Sequence, residues 1–160
     1  MNQHLFERAG LPSAAPEILV IVEKCQEGIP SGKMINEFVE KPIAFRGFAE
    51  LLLRMDALYD YLDFPQSFRK PRTFRGEAEE DYDRLRPYEK RSYTTYLHQA
   101  EGKGMLTFLV KTRFRQNGSW QGFLLWMEAG KEQHFISTLQ CLKLMMEALS
   151  VTLEKERDAQ

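Results

Sequence analysis

The sequence predicts an α+β domain of two layers, an antiparallel sheet with two helices on one face, and three observations predict it. The first is internal similarity: residues 19–59 lie over residues 109–149 without a gap. Identities fall at Leu19/Leu109, Val20/Val110, Gln26/Gln116, Gly28/Gly118, Gly32/Gly122, Lys41/Lys131, Phe45/Phe135, Leu52/Leu142 and Met55/Met145. These are positions where glycine punctuates turns and apolar residues face a core, as a repeated unit requires. The second is that each copy reads as two β-rich runs followed by apolar residues at helical spacing. The third is size: 160 residues suffice for one core without disulfides or metal. The reading is a single domain, 1–160, built from a duplicated ββα unit at 17–62 and 105–153 with pseudo-two-fold symmetry. A connector, 63–104, joins the units.

The first unit opens with residues 17–26, a β-rich run containing Ile18, Leu19, Val20, Ile21 and Val22. Residues 27–32 read as a turn and 33–40 as the answering strand, which Pro42 ends because it cannot donate a ladder bond. From Phe45 to Leu62 the apolar positions Phe48, Leu51, Leu52, Met55, Leu58, Tyr59 and Leu62 have helical spacing. The second unit pairs 105–116 with 119–127 around Asn117-Gly118, a dipeptide suited to a type I′ turn. A short strand at 132–136 follows, then a helix capped by Ser137 or Thr138 whose apolar positions Leu139, Leu142, Leu144, Met145, Met146, Leu149 and Leu153 describe a broad buried face. The charged tail 154–160 reads as a fraying end. The connector holds a basic cluster (Arg69, Lys70, Arg72, Arg75), an acidic one (Glu77 to Asp83) and too many aromatic residues for a free linker, with a short helix within 78–85.

Twenty-two basic against 23 acidic residues leave no global field toward nucleic acid or an anionic membrane. No apolar run reaches the ~20 residues that cross a bilayer, and the first ten residues lack the order of a signal peptide. Cys25 and Cys141 are too far apart in sequence for a knuckle or redox pair and read as reduced buried thiols, which suits a cytoplasmic setting. His4, His98 and His134 have no partners at metal spacing, and no phosphate loop, dinucleotide fingerprint or nucleophile elbow is present. Catalysis, cofactor and metal are therefore not expected.

The distinctive segment is Arg113-Phe114-Arg115-Gln116-Asn117-Gly118-Ser119-Trp120-Gln121-Gly122. Counting outward from a two-residue turn sets Gln116 opposite Ser119, Arg115 opposite Trp120 and Arg113 opposite Gly122. Phe108, Val110, Thr112, Phe114, Phe123, Leu125 and Met127 then face the helices. Lys111, Arg113, Arg115, Trp120, Leu124 and Trp126 face away. In the first unit the outward set is Leu19, Ile21, Glu23, Cys25, Gly32, Met34, Asn36 and Phe38, so apolar that the connector or a second protein should cover it. The outward Arg/Trp pattern reads either as a cation–π ladder, ~0.5–1 kcal/mol for Arg115 on Trp120, or as a binding surface. In the second reading Lys111, Arg113, Arg115, Gln116, Trp120, Gln121 and Trp126 take a protein partner, with Trp120 and Trp126 as anchors. Single-stranded nucleic acid is the alternative, phosphates on the cations and bases on the indoles.

Asn117-x-Ser119-x-x-Gly122 also resembles the second half of the cyclic-di-GMP motif of PilZ domains, which implies a nucleotide sensor. The upstream arginine pair of that motif is missing, Arg86 with Lys90 being the nearest approach. The hairpin, with the Phe45 and Phe135 helices, is similar to small bacterial proteins carrying an Arg-Gln-Asn-x-Ser-Trp-Gln-Gly-like string. That resemblance brings no activity with it, and it points to Gln116, Trp120, Gln121 and Gly122 as residues to test.

Overall fold

The computed structural model describes residues 17–63, 65, 73–74, 104–115 and 118–160. They form β1 (Glu17–Gln26), β2 (Ile29–Ile35), β3 (Ile43–Arg46), α1 (Phe48–Leu62), β4 (Leu106–Phe114), β5 (Gln121–Trp126), β6 (Lys131–Phe135) and α2 (Thr138–Asp158). The strands make one antiparallel sheet in the order β3-β2-β1-β4-β5-β6. The α+β class and the two-layer architecture are as the sequence predicts. Leu51, Met55 and Leu58 of α1 and Cys141, Met145 and Leu149 of α2 share one core with Ile18, Val20, Leu106, Phe108 and Val110. Each large side chain so enclosed contributes roughly 1.5–3 kcal/mol.

Each half supplies three strands and a helix, where the sequence predicted two strands before the first helix. Residues 43–46 are strand because Phe45 pairs with Gly32 and buries its ring, and because Gly47, at φ 81°, stops the chain before α1 begins. β2 starts at Ile29 rather than Lys33, since Glu27 and Gly28 both take positive φ, 54° and 76°, and close a two-residue turn. The tail does not fray at Glu154. α2 continues to Asp158, with Lys155 and Arg157 placed to oppose the negative end of its dipole. The connector's charged clusters and the short helix expected within 78–85 lie outside the described residues.

The central β1–β4 ladder pairs Ile18 with Val110, Leu19 with Leu109 and Val20 with Phe108. Leu19 thus faces the residue 90 positions along the chain, and the pairs on either side exchange under the same offset. β1 is bulged against β2 between Val22 and Lys24, and β4 against β5 between Thr112 and Phe114. A Cβ on Gly32 would lie 1.9 Å from the Ile21 carbonyl oxygen, and one on Gly122 would lie 2.0 Å from that of Lys111. α1 follows Gly47 and α2 follows Ser137. The Arg46 amide donates to Glu50 Oε2 at 2.6 Å, and the Ile136 amide to Gln140 Oε1 at 2.8 Å. Ser137 also accepts from the Gln140 amide, so α2 has a side-chain cap that α1 lacks.

Candidate functional site

The bulge in β4 decides where the expected site residues go. Thr112 pairs with Gly122 and Phe114 with Gln121, so β4 advances two residues while β5 advances one, and Arg113 is the extra residue. The expected register, Arg113 opposite Gly122, is therefore off by one over β5, and a one-residue slip exchanges the faces. Leu124 and Trp126 sit opposite Val110 and Phe108 on the helix side. Phe123 and Leu125 sit opposite Lys111 and Leu109 on the outer side, and alternation puts Met127 outward too. Beyond the bulge β4 is reversed as well: Phe114 is exposed and Arg115 turns toward α1.

Arg115 is 4% exposed and forms a clasp between β4 and α1. Its Nε donates to the Pro65 carbonyl at 2.6 Å, and its Nη1 to Asp56 Oδ1 at 3.1 Å and Asp60 Oδ1 at 2.9 Å. Trp120, 5% exposed, donates from Nε1 to Asp56 at 3.3 Å and meets the Tyr59 ring edge to face at 5.4 Å. Tyr59 shares a 2.7 Å hydroxyl bond with Thr112, and burial lifts its phenol well above the usual range, which keeps it neutral. The predicted outward stack of Arg115 on Trp120 is replaced by this inward arrangement, with Arg115 5.6 Å from the Tyr59 ring. Trp126 lies on the core beneath Lys155, its Nε1 buried without a hydrogen-bond partner among the described residues. Neither indole is available as an outward anchor. Asp56, Asp60, Tyr59 and Thr112 were missed by sequence reasoning. Asp56 and Asp60 are visible as an i, i+4 pair beside Tyr59, but their partner lies more than 50 residues away.

The outer face, opposite both helices, divides in two. Leu19, Ile21 and Ile35 are 6%, 0% and 4% exposed and form a small second core with Leu109. Glu23 is the bulged residue of β1 and is exposed, and the bulge carries Cys25, Gly32, Met34 and Phe38, also expected outward, to the helix side. Asn36 is buried and satisfied, donating to the Glu17 carbonyl at 2.8 Å and accepting from the Phe38 amide. The part built by β4, β5 and β6 is half-exposed. Lys111 pairs with Glu17 at 3.3 Å, Arg113 lies 4.3 Å over the Phe123 ring, and Phe123 lies 4.0 Å from the exposed His134 ring. Leu109, Leu125 and Gln121 complete this half-buried surface. Of the predicted site, the structure thus brings Lys111, Arg113 and Gln121 together outward and Arg115 with Trp120 inward, while Gln116 lies outside the described residues.

The residues of the PilZ-like string have local tasks. Ser119 Oγ accepts from the Thr138 amide at 3.1 Å, and Gly122 has no room for a Cβ beside Lys111. Asn117 lies outside the described residues. Burial pushes the Cys141 thiol up to about 12, which holds it protonated. Among the described residues no group of three His, Cys, Asp or Glu side chains could hold a metal ion, and no helix is long and apolar enough to cross a membrane. In comparisons with known proteins, no family model, no curated protein and no solved structure matches this chain.

Proposed function

We propose that this chain is a non-catalytic protein-binding module that takes its partner on the half-exposed part of the outer sheet face. The observation that carries this reading is the strip Arg113–Phe123–His134 beside Leu109 and Leu125, on a side of the sheet that neither helix covers. Arginine and aromatic side chains held rigid by a sheet are what interface hot spots are made of, and a half-exposed apolar strip offers area to bury. The anchors are thus Phe123 and Arg113 in place of the tryptophans. Single-stranded nucleic acid fits this surface less well, because both indoles lie on the helix side and the near face of Phe123 is taken by Arg113.

The test is affinity capture from the native host with wild-type and Phe123→Ser baits, the variant first shown to melt within a few degrees of wild type. Loss of specific captured proteins from the variant supports the reading, and identical captured sets overturn it. A single-stranded oligonucleotide that binds steeply salt-dependently, and no longer binds Arg113→Ala, supports the nucleic-acid alternative instead.

We also infer that the two halves are copies of one unit of three strands and a helix. The nine identities, the bulges, the close-approach glycines and the helix starts, all 90 residues apart, support it. Experimental coordinates in which residues 17–62 and 107–152 superpose poorly would overturn it.

A further inference from the structure

From the edge of β6 that no described strand pairs with, we infer that this chain docks a second copy of itself, edge to edge, in a two-fold antiparallel pairing of β6 with β6. No described strand pairs with the outer side of β6, and Lys131, Glu132, Gln133 and His134 are all exposed. The direction of its backbone groups follows from the neighbouring ladder. The Met127 amide donates to the Thr107 carbonyl, toward β4, so alternation along β5 turns the polar groups of Gly122, Leu124 and Trp126 toward β6. Their partners Phe135, Gln133 and Lys131 use theirs within the sheet. The N–H and C=O of Glu132 and His134 are left pointing outward, a template for a further strand.

The side chains choose the register. A two-fold antiparallel ladder that uses these outward groups can centre on Glu132, Gln133 or His134. Centred on Glu132, it sets two carboxylates face to face, which is destabilising. Centred on His134, it sets two imidazoles face to face. Centred on Gln133, it places each Glu132 opposite the second copy's His134, with four backbone hydrogen bonds between the two pairs. The polar side chains that guard this edge against indiscriminate pairing therefore match in one register, a carboxylate acceptor opposite an imidazole that can donate an N–H. In that register Ile136, 72% exposed, comes opposite Gly130 of the second copy, where a Cβ would meet nothing within 4 Å. The opposite edge is poorer: β3 has four residues and is entered through Pro42, which has no N–H to offer. The product is a continuous sheet across two molecules, with all four helices on one side.

Sedimentation of the full chain tests this. Wild type is expected to be a dimer at ~100 μM, and Glu132→Lys and His134→Glu, each setting like or unmatched groups opposite, are expected to be monomers with unchanged circular dichroism. The double variant Glu132→Lys/His134→Glu places opposite charges across the seam and should restore the dimer. Hydrogen exchange on wild type gives a readout independent of the variants, since the amides of Glu132 and His134 should gain protection as concentration rises. A wild-type monomer at that concentration, single variants that remain dimeric, a double variant that stays monomeric, or amides indifferent to concentration would each overturn the proposal.

Discussion

At the end of β4, Arg115 leaves the bulge and reaches Asp56, Asp60 and the Pro65 carbonyl, with Trp120, Tyr59 and Thr112 closing the group. At the end of β1, 90 residues earlier, Cys25 leaves the matching bulge. The positions that match Asp56, Asp60, Trp120, Tyr59 and Thr112 hold Met146, Ser150, Pro30, Leu149 and Val22. One end of the sheet is therefore fastened by a hydrogen-bonded network and the other by apolar burial, on backbones that bulge, turn and start helices in step. The difference teaches that a bulge and a close-approach glycine can set the same path under two unlike sets of side chains. A half-made polar network would leave a buried guanidinium or hydroxyl unsatisfied.

The hardest way to break this comparison is through the feature both halves share. Gly32→Ala and Gly122→Ala each drive a Cβ into a carbonyl oxygen at 1.9 and 2.0 Å. Denaturant titration should show a loss of about 3 kcal/mol or more in both, similar in size. A tolerated substitution at either site would mean that the bulge does not constrain its strand. The next largest effect should separate the halves. Arg115→Ala removes the centre of the clasp, but the carboxylates it leaves behind are half-exposed and can be rehydrated. A cost of about 2–3 kcal/mol is expected, at or below the lower end for a broken buried pair. Cys25→Ala at the matching position should cost about 1 kcal/mol or less. Equal losses would make the clasp dispensable.

The smallest effect concerns alkaline pH. Cys141, matched by Leu51 in the other half, has its thiol raised by burial from its usual value near 9 to about 12. The folded chain then binds more protons than the unfolded one between those values, so stability is full below about pH 9 and falls as pH rises toward 12. The slope contributed is at most about 1.4 kcal/mol per pH unit. Tyr59 adds to the decline above pH 10. Denaturation of Cys141→Val across pH 7–11 should show a shallower decline than wild type, and an identical profile would refute the assignment.

The internal similarity, the antiparallel sheet, most of each helix face and a cap at Ser137 or Thr138 were legible in the residues, because each depends on local spacing; Leu139 and Met146, expected on the buried face of α2, are 58% and 55% exposed. The site was not legible, because it depends on one extra residue. Strict alternation sent Arg115, Trp120 and Trp126 outward together, and the bulge at Arg113 sent all three inward. A signal for it was present: Gly32 and Gly122 are matching glycines inside strands, and a strand glycine marks a bulge or a close approach of backbones. Two other features had no comparable local signal. The four residues of β3 sit between Pro42 and an apolar pattern that continues without interruption into α1. The acids that hold Arg115 come from the other half of the chain.

The Leu19–Leu109 pairing at the middle of the sheet has a consequence for how the chain is made. Both neighbours of β1 are needed to enclose Ile18 to Val22, yet β4 begins 80 residues after β1 ends, from Gln26 to Leu106. At ordinary rates of translation that is a delay of about 4–16 s. During that interval β1, with its five consecutive apolar residues Ile18 to Val22, has no β4 to pair with on the nascent chain. The growing polypeptide therefore faces its greatest risk of wrong association before its second half exists, and chaperone dependence should concentrate in that window.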